Sequence, residues 1–302
     1  MVKNSFDICL LYYDNPLLLK NWLNRIFYYS DYFKYSNNRS KIIIADSGTP
    51  LDKLEESLKV YTRFKTEVSY YHKIDIIYLR VETEEIRKKV PKHISARPAS
   101  HTFNVACLDY SKADIIYVSV IGHIYSPKYF ERTLAIHLQD NRAVVLPQRF
   151  DLDYKEYHEI GYNDKWEDIV TKHKLINSGG WPDMSVRRKY LEEIGGWDEN
   201  YITISPIDMD LASRLGNFLD DGTKSNRLFT SKPEFINLGL TLYKPFDINT
   251  IISLTCNQYK NHIDTNDSKR QIGYNLGIQY YLEHWGEIHR NINRQPLQYR
   301  EY

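Results

Sequence analysis

The stretch "KIIIADSGTPLDKLEESLKVYTRF", residues 41–64, sets the architecture. It opens with a short β-branched apolar run, the pattern of a strand buried on both faces. Asp46-Ser47-Gly48-Thr49-Pro50 then has the composition of a tight turn. A helical pattern follows directly over 51–64. The same unit recurs on either side. "FDICLLYY" (6–13) precedes the helical pattern "PLLLKNWLNRIFYYSDYF" (16–33), and "IDIIYLRV" (74–81) and "ADIIYVSVI" (113–121) flank "HTFNVACLDYS" (101–111). Strands alternating with helices predict βαβ units and a mostly parallel sheet. Ligands of such sheets bind beyond the carboxyl ends of the strands. Tyr12–Asn15, Asp46–Thr49 and Gly122–Ser126 are therefore the positions where function is expected.

The totals narrow the class. The 302 residues suffice for one large domain or a domain with an appendage, and 42% hydrophobic with 26% charged residues fits a globular protein. A net charge of +1 offers no overall field for a polyanion. Cys9, Cys107 and Cys256 are odd in number and widely spaced, which suits a reducing compartment rather than a disulfide framework. The N-terminal apolar run, broken by Asp7 and Asp14, is too short for a signal peptide, and no run approaches the roughly 20 residues of a membrane helix. A cytoplasmic protein without a membrane span is expected. The 26 tyrosines are given little weight here.

The second half holds a further strand, "RAVVLPQRF" (142–150), then a polar loop, a glycine-rich block and the helix "SVRRKYLEEI" closed by Gly195-Gly196. The loop contains Asp151-x-Asp153, read as surface. From about residue 246 the spacing is helical, so 246–302 is expected to be a helical extension.

Four stretches in order resemble the inverting family 2 of nucleotide-sugar glycosyltransferases. "IIIADSGTP" is similar to that family's "DDGS" strand end, and "ARPASHTFNVACLDYSKADIIYVS" to its arginine-to-asparagine helix and following strand. "SGGWPDMSVRRKYLEEIGGWDENY" is similar to its acceptor-side block, and "SPIDMDLASRL" to its "EDxDLxxRL" helix. The resemblance implies an α/β fold of GT-A type, with a Rossmann-like, mostly parallel sheet flanked by helices. The domain would span 1–245, with a donor half to about 125 and an acceptor half from 126. It also implies transfer of a hexosyl-type sugar from a nucleoside-diphosphate donor, UDP-linked, to a hydroxyl with inversion.

On that resemblance Asp208 is the general base, because an alcohol attacks only as its proton is removed. The local alternative is capping, with Ser205 as N-cap, Pro206 at the first helical position and Asp208 in capping-box register. Asp210 stands four residues before Arg214 and is read as structural. Asp46 would contact the base or ribose, or else only close its turn. Asn104 matches the family asparagine. Tyr12 and Tyr13 either stack on the base or are rim aromatics. Gly180, Trp181 and Asp183 fall where acceptor sugar and donor hydroxyls bind, or else form a turn with a packed tryptophan.

One departure is equally informative. Ile121-Gly122-His123 occupies the Asp-x-Asp position that holds a divalent ion, Ile207 replaces the expected glutamate, and Tyr243-Lys244 stands where a later histidine is expected. A hard cation wants carboxylate oxygens. Transfer without a divalent metal is therefore expected, with His123, Lys244 and Arg97 on the donor diphosphate. The run "IRKKVPKH" (86–93) is either solvated or assists there. The acceptor, whether glycan, protein or modified nucleobase, stays open. So does the alternative of a catalytically silent GT-A module that binds a glycan or partner.

Overall fold

The protein is described from a computed structural model over residues 5–29, 40–71, 74–93, 96, 98–178, 183–202, 207–216, 241–243, 250–254, 272, 275–280, 283 and 297–302. Its strands are β1 (Phe6–Tyr12), β2 (Lys41–Asp46), β3 (Asp75–Val81), β4 (Ile115–Val120), β5 (Ile124–Tyr125), β6 (Ala143–Val145), β7 (Gln148–Leu152), β8 (Ile176–Ser178), β9 (Met184–Arg187), β10 (Thr241–Tyr243), β11 (Thr250–Leu254) and β12 (Tyr299–Glu301). Eight of them form one sheet in the order β10-β6-β9-β4-β1-β2-β3-β12, and β5-β11-β7-β8 form a second, smaller one.

The apolar runs are continuous because both faces of the main sheet are covered. Along β1, Phe6, Ile8, Leu10 and Tyr12 join a cluster with Leu19, Trp22 and Tyr61 of helices Pro16–Tyr29 and Leu51–Tyr71. The alternate residue Cys9 joins Ile43, Ala45 and Leu79 against Phe103, Val105 and Leu191 on the other face. A two-residue period thus fills two cores at once, which a half-exposed strand could not do.

β1 to β4 are mutually parallel in the order 3-2-1-4, while β9 runs antiparallel between β4 and β6. The winding reverses between β1 and β4. Such a switch point opens a crevice at the carboxyl ends of the strands. Register brings Tyr12 beside Asp46, Asp46 beside Arg80, and Leu11 beside Val120 along that edge.

Two expectations need correction. The C-terminal segment supplies strands as well as helix: residues 275–280 are helical, but β11 pairs parallel with β7 and β12 pairs antiparallel with the edge strand β3. "TIISL" is a β-branched run, whereas "YRE" carries no apolar alternation. An outer strand needs only backbone pairing, so polar residues suffice there. Asp151 and Asp153 do not lie in a loop. Asp151, in β7, meets Arg149 Nε at 3.0 Å, and Asp153 caps helix Tyr154–Glu159 by accepting from the Lys155 N–H. No helix among the described residues is long and apolar enough to cross a membrane.

His137 gives the fold a measurable acid sensitivity. Its Nε2 lies 2.8 Å from Ser185 Oγ inside the core, and burial lowers its pKa from 6.5 to about 4. The folded state holds the neutral imidazole, so this stabilisation is present above pH 6.5 and is lost as pH falls towards 4. In His137→Gln, the fall in urea stability across that window is expected to be shallower than in wild type by up to about one proton's worth of slope.

Candidate active site at the carboxyl edge of the sheet

Asp46 ends β2 wholly buried. Its Oδ1 accepts from the Thr49 N–H (2.9 Å) and Oγ1–H (2.7 Å), and its Oδ2 accepts from the Tyr78 hydroxyl (3.0 Å). Burial pushes its pKa up, opposed by those bonds and by nearby Arg80. The carboxylate therefore shapes the Asp46–Thr49 turn from beneath, and the expected direct contact with base or ribose is replaced by support of that turn. Gly48 adopts φ +76, and a Cβ there would meet Thr83 Oγ1 at 2.4 Å, so the turn requires glycine.

Tyr12 and Tyr13 divide the two roles proposed for them. Tyr12 is 0% exposed, packs edge-on against Tyr78 and hydrogen-bonds Ser57, so base stacking by Tyr12 is excluded by the core around it. Tyr13 is 39% exposed, with the Arg87 guanidinium 4.6 Å from its ring centroid. Arg87 belongs to helix Glu84–Lys89 and is an internal clamp: Nη2 donates to the Ser47 carbonyl (2.7 Å), Nη1 to the Ala96 carbonyl (2.8 Å) and Nε to Thr83 Oγ1 (3.3 Å). For the basic run the sequence leaves solvation or a diphosphate contact as the expectation. Lys88 is exposed and pairs with Glu85, whereas Arg87 ties together the ends of β1, β2 and β3.

Asn104 is likewise turned inward. Its Oδ1 accepts from the Trp197 N–H (2.8 Å), and its Nδ2 donates to the Trp197 carbonyl (2.8 Å) and Glu199 Oε1 (2.9 Å). The family position expected to bind donor instead fastens helix Ala99–Asn104 to the Gly195–Glu199 segment. Arg214 grips the same segment, with Nη1 donating to the Gly196 carbonyl (2.5 Å) while Nε and Nη2 donate to Asp210 (3.0 and 2.6 Å). Asp210 is thus structural, as read. Asp208 sits half-buried in the first turn of helix Ile207–Gly216, which these bonds dock.

Past β4, His123 Nδ1 lies 2.7 Å from Asp183 Oδ1, both residues buried. Tyr117 OH donates to Asp183 Oδ2 (2.8 Å), and weaker contacts come from Ser119 Oγ (3.3 Å) and the Val120 N–H (3.4 Å). Tyr129 hydrogen-bonds Tyr117, and Trp22 Nε1 donates to Tyr125, which hydrogen-bonds Ser119. The tyrosines set aside in the sequence reading thus line this network. With its oxygens engaged and no exposed surface, Asp183 is a partner of His123 and not an acceptor-sugar contact. No sequence signal announced the pair, whose members lie 60 positions apart. Arg97, Gly180, Trp181, Lys244, Ser205 and Pro206 lie outside the described residues.

Backbone structures of known proteins share this layout. A mannosyltransferase from Pyrobaculum calidifontis, in complex with GDP-Man and Mn2+, matches with a TM-score of 0.52 at 11% identity, covering 94% of this chain and 69% of that one. The fold is GT-A. A second GT-A structure, GalNAc-T7 with UDP, GalNAc and Mn2+, gives a TM-score of 0.50 at 8% identity over 83% of this chain. The chain spans less than half, 44%, of GalNAc-T7. No protein-family model matches the sequence, and no curated protein matches it.

Both named structures hold Mn2+, and in this chain the end of β4, where Ile121-Gly122-His123 stands, can be tested for fit. It offers one imidazole and one carboxylate already engaged with each other, and among the described residues no group of three His, Cys, Asp or Glu could hold a metal ion. A divalent ion at a nucleotide site is held by one or two carboxylates, with waters and substrate phosphates completing its oxygen shell. The described donor set does not fit one.

The Asn104 clamp yields a stability prediction. Gly196 has φ +73, and a Cβ would stand 2.2 Å from Asn104 Oδ1 and 2.6 Å from Leu108. Gly196→Ala is expected to cost about 2 kcal/mol or more, the sum of left-handed strain and displacement of the clamp. Urea unfolding that shows less than about 0.5 kcal/mol would remove the clamp from the account.

Proposed function

We propose that the protein transfers a sugar from a nucleoside-diphosphate donor, UDP-linked, to a hydroxyl acceptor with inversion, without a divalent metal. The observation that carries this reading is the docking of helix Ile207–Gly216. Arg214 and Asp210 hold it to Gly196, and Asp208 stands half-buried in its first turn. A carboxylate on a rigid helix start suits a general base, which must hold its geometry as it takes the acceptor proton. The half-exposed ring of Tyr13, backed by Arg87, is the surface offered to the nucleoside, and the buried Asp46–Thr49 turn supports it from behind. Arg97 and Lys244 stay on the diphosphate side by sequence position alone. As the acceptor oxygen attacks the anomeric carbon, its proton passes to Asp208 and the bond to the diphosphate breaks with its electron pair leaving on phosphate.

A second reading has its own support. Asp46, Asn104 and Asp183, which sequence similarity assigned to ligands, are each hydrogen-bonded to internal partners. A GT-A module that binds glycan or partner without transfer would show this inward turn too. Hydrolysis and binding assays with a panel of UDP- and GDP-sugars separate the two, since the silent module turns over none.

Asp208→Asn is expected to lower transfer by about 100-fold or more, because the amide cannot accept the proton, with donor affinity and unfolding midpoint retained. Transfer at the wild-type rate in a folded Asp208→Asn protein returns Asp208 to capping. Transfer is also expected to persist in excess chelator. Loss with chelator and recovery on adding Mn2+ would show that an ion is held after all.

A further inference from the structure

We infer that His123 and Asp183 act as one unit, a dyad whose imidazole supplies to the donor diphosphate the positive end that a metal supplies elsewhere in the fold. This deepens the donor reading above and rests on it. Position comes first. The winding of the sheet reverses between β1 and β4, and a ligand of an open α/β sheet lies in the crevice at that reversal. His123 stands buried three residues beyond the carboxyl end of β4, immediately before β5, at the end of the sheet where that reversal opens.

Chemistry follows from the partners. A carboxylate only accepts, so the imidazole Nδ1 carries the proton of the 2.7 Å bond, and the ring is fixed with Nε2 as its remaining functional atom. Asp183 is itself held by Tyr117 and anchored at the start of β9, which pairs with β4. The ring therefore cannot swing as an exposed histidine would. The dyad calls for the imidazolium, the form in which Nδ1–H donates to Asp183 and Nε2–H remains to donate outward. In that form Nε2–H donates to a phosphate oxygen and stabilises the charge that develops as the glycosyl bond breaks. The proton stays on His123. Asp183 is a positioning residue that acts only through the ring.

The test separates the diphosphate from the nucleoside. Affinities for UDP, GDP, uridine and guanosine are measured by calorimetry in the presence of EDTA for wild type, His123→Gln and Asp183→Asn. The dyad requires that the wild type bind one nucleoside diphosphate more tightly than its nucleoside. It further requires that both variants lose about tenfold in diphosphate affinity while nucleoside affinity stays within about twofold. A merely structural role would lower both affinities together or neither, and either result overturns the inference. Asp183→Asn keeps the side-chain shape and so covers the case in which His123→Gln folds poorly. Wild type that binds the diphosphate with His123 immaterial overturns the dyad alone, whereas wild type that binds neither nucleotide overturns the donor reading and the dyad with it.

Discussion

A carboxylate shut away from water must be answered by donors, and the Asp183 carboxylate sets the terms for the middle of this molecule. An unpaired buried charge costs several kcal/mol, so each oxygen has to find a partner. Oδ2 takes the Tyr117 hydroxyl and Oδ1 takes the His123 ring, with Val120 N–H and Ser119 close by. Those partners come from β4 and from the turn after it, so satisfying one side chain also fixes where β4 ends. Tyr125 and Trp22 are recruited through Ser119, and the aromatic cluster of Tyr117, Tyr125, Tyr129 and Phe130 closes over the network. Polar satisfaction and apolar packing are here the same set of residues.

A similar economy fastens helix Ala99–Asn104 to the segment that follows helix Arg188–Glu193. Asn104 makes a two-point backbone pairing with Trp197, and Arg214 grips Gly196 one residue away. Both act on main-chain groups, which cannot relocate without moving the segment. Their effect is to hold the helix bearing Asp208 against the second apolar core through Leu211 and Leu215. Arg87 does for the strand ends of β1, β2 and β3 what Asn104 does for the segment 195–199. Catalytic constellations need such rigid support, because misplacement by about 1 Å can cost 100-fold in rate.

The fold was legible in the sequence because it rests on short-range signals. Runs such as "KIIIADS" declare strands buried on both faces, and their alternation with helical patterns declares a parallel sheet. Pairing at i,i+4 was legible for the same reason, as with Asp210 and Arg214. Partners distant in sequence were not. Asn104 and Trp197 are 93 positions apart, so the sequence showed a polar residue in a family position but not what would claim its amide. Tyr12 reads as a stacking or rim aromatic because nothing in "LLYYDN" says which of two adjacent tyrosines faces inward; the period of two along β1 decides it only once Phe6, Ile8 and Leu10 are known to share a core. β12 escaped notice because an edge strand asks nothing of its side chains.

The pairing at the end of β4 also bears on how a site can stand ready without an ion. Two carboxylates one residue apart repel, and a site built from them is held in shape by the cation it awaits. An imidazolium against a carboxylate reverses that sign: the pair is attractive on its own, and burial strengthens the attraction because less water screens it. The cost falls on reach, since a divalent ion bridges two phosphates and several ligands at once, while a single Nε2–H addresses one oxygen. A site organised this way needs further donors for the second phosphate. Basic side chains entering from the neighbouring loops would have to complete it, which is the place that sequence position gives Arg97 and Lys244. On this reading the preformed dyad and the backbone clamps serve one end. They hold charge and base in place before the donor arrives, so that little reorganisation is left for the moment of transfer.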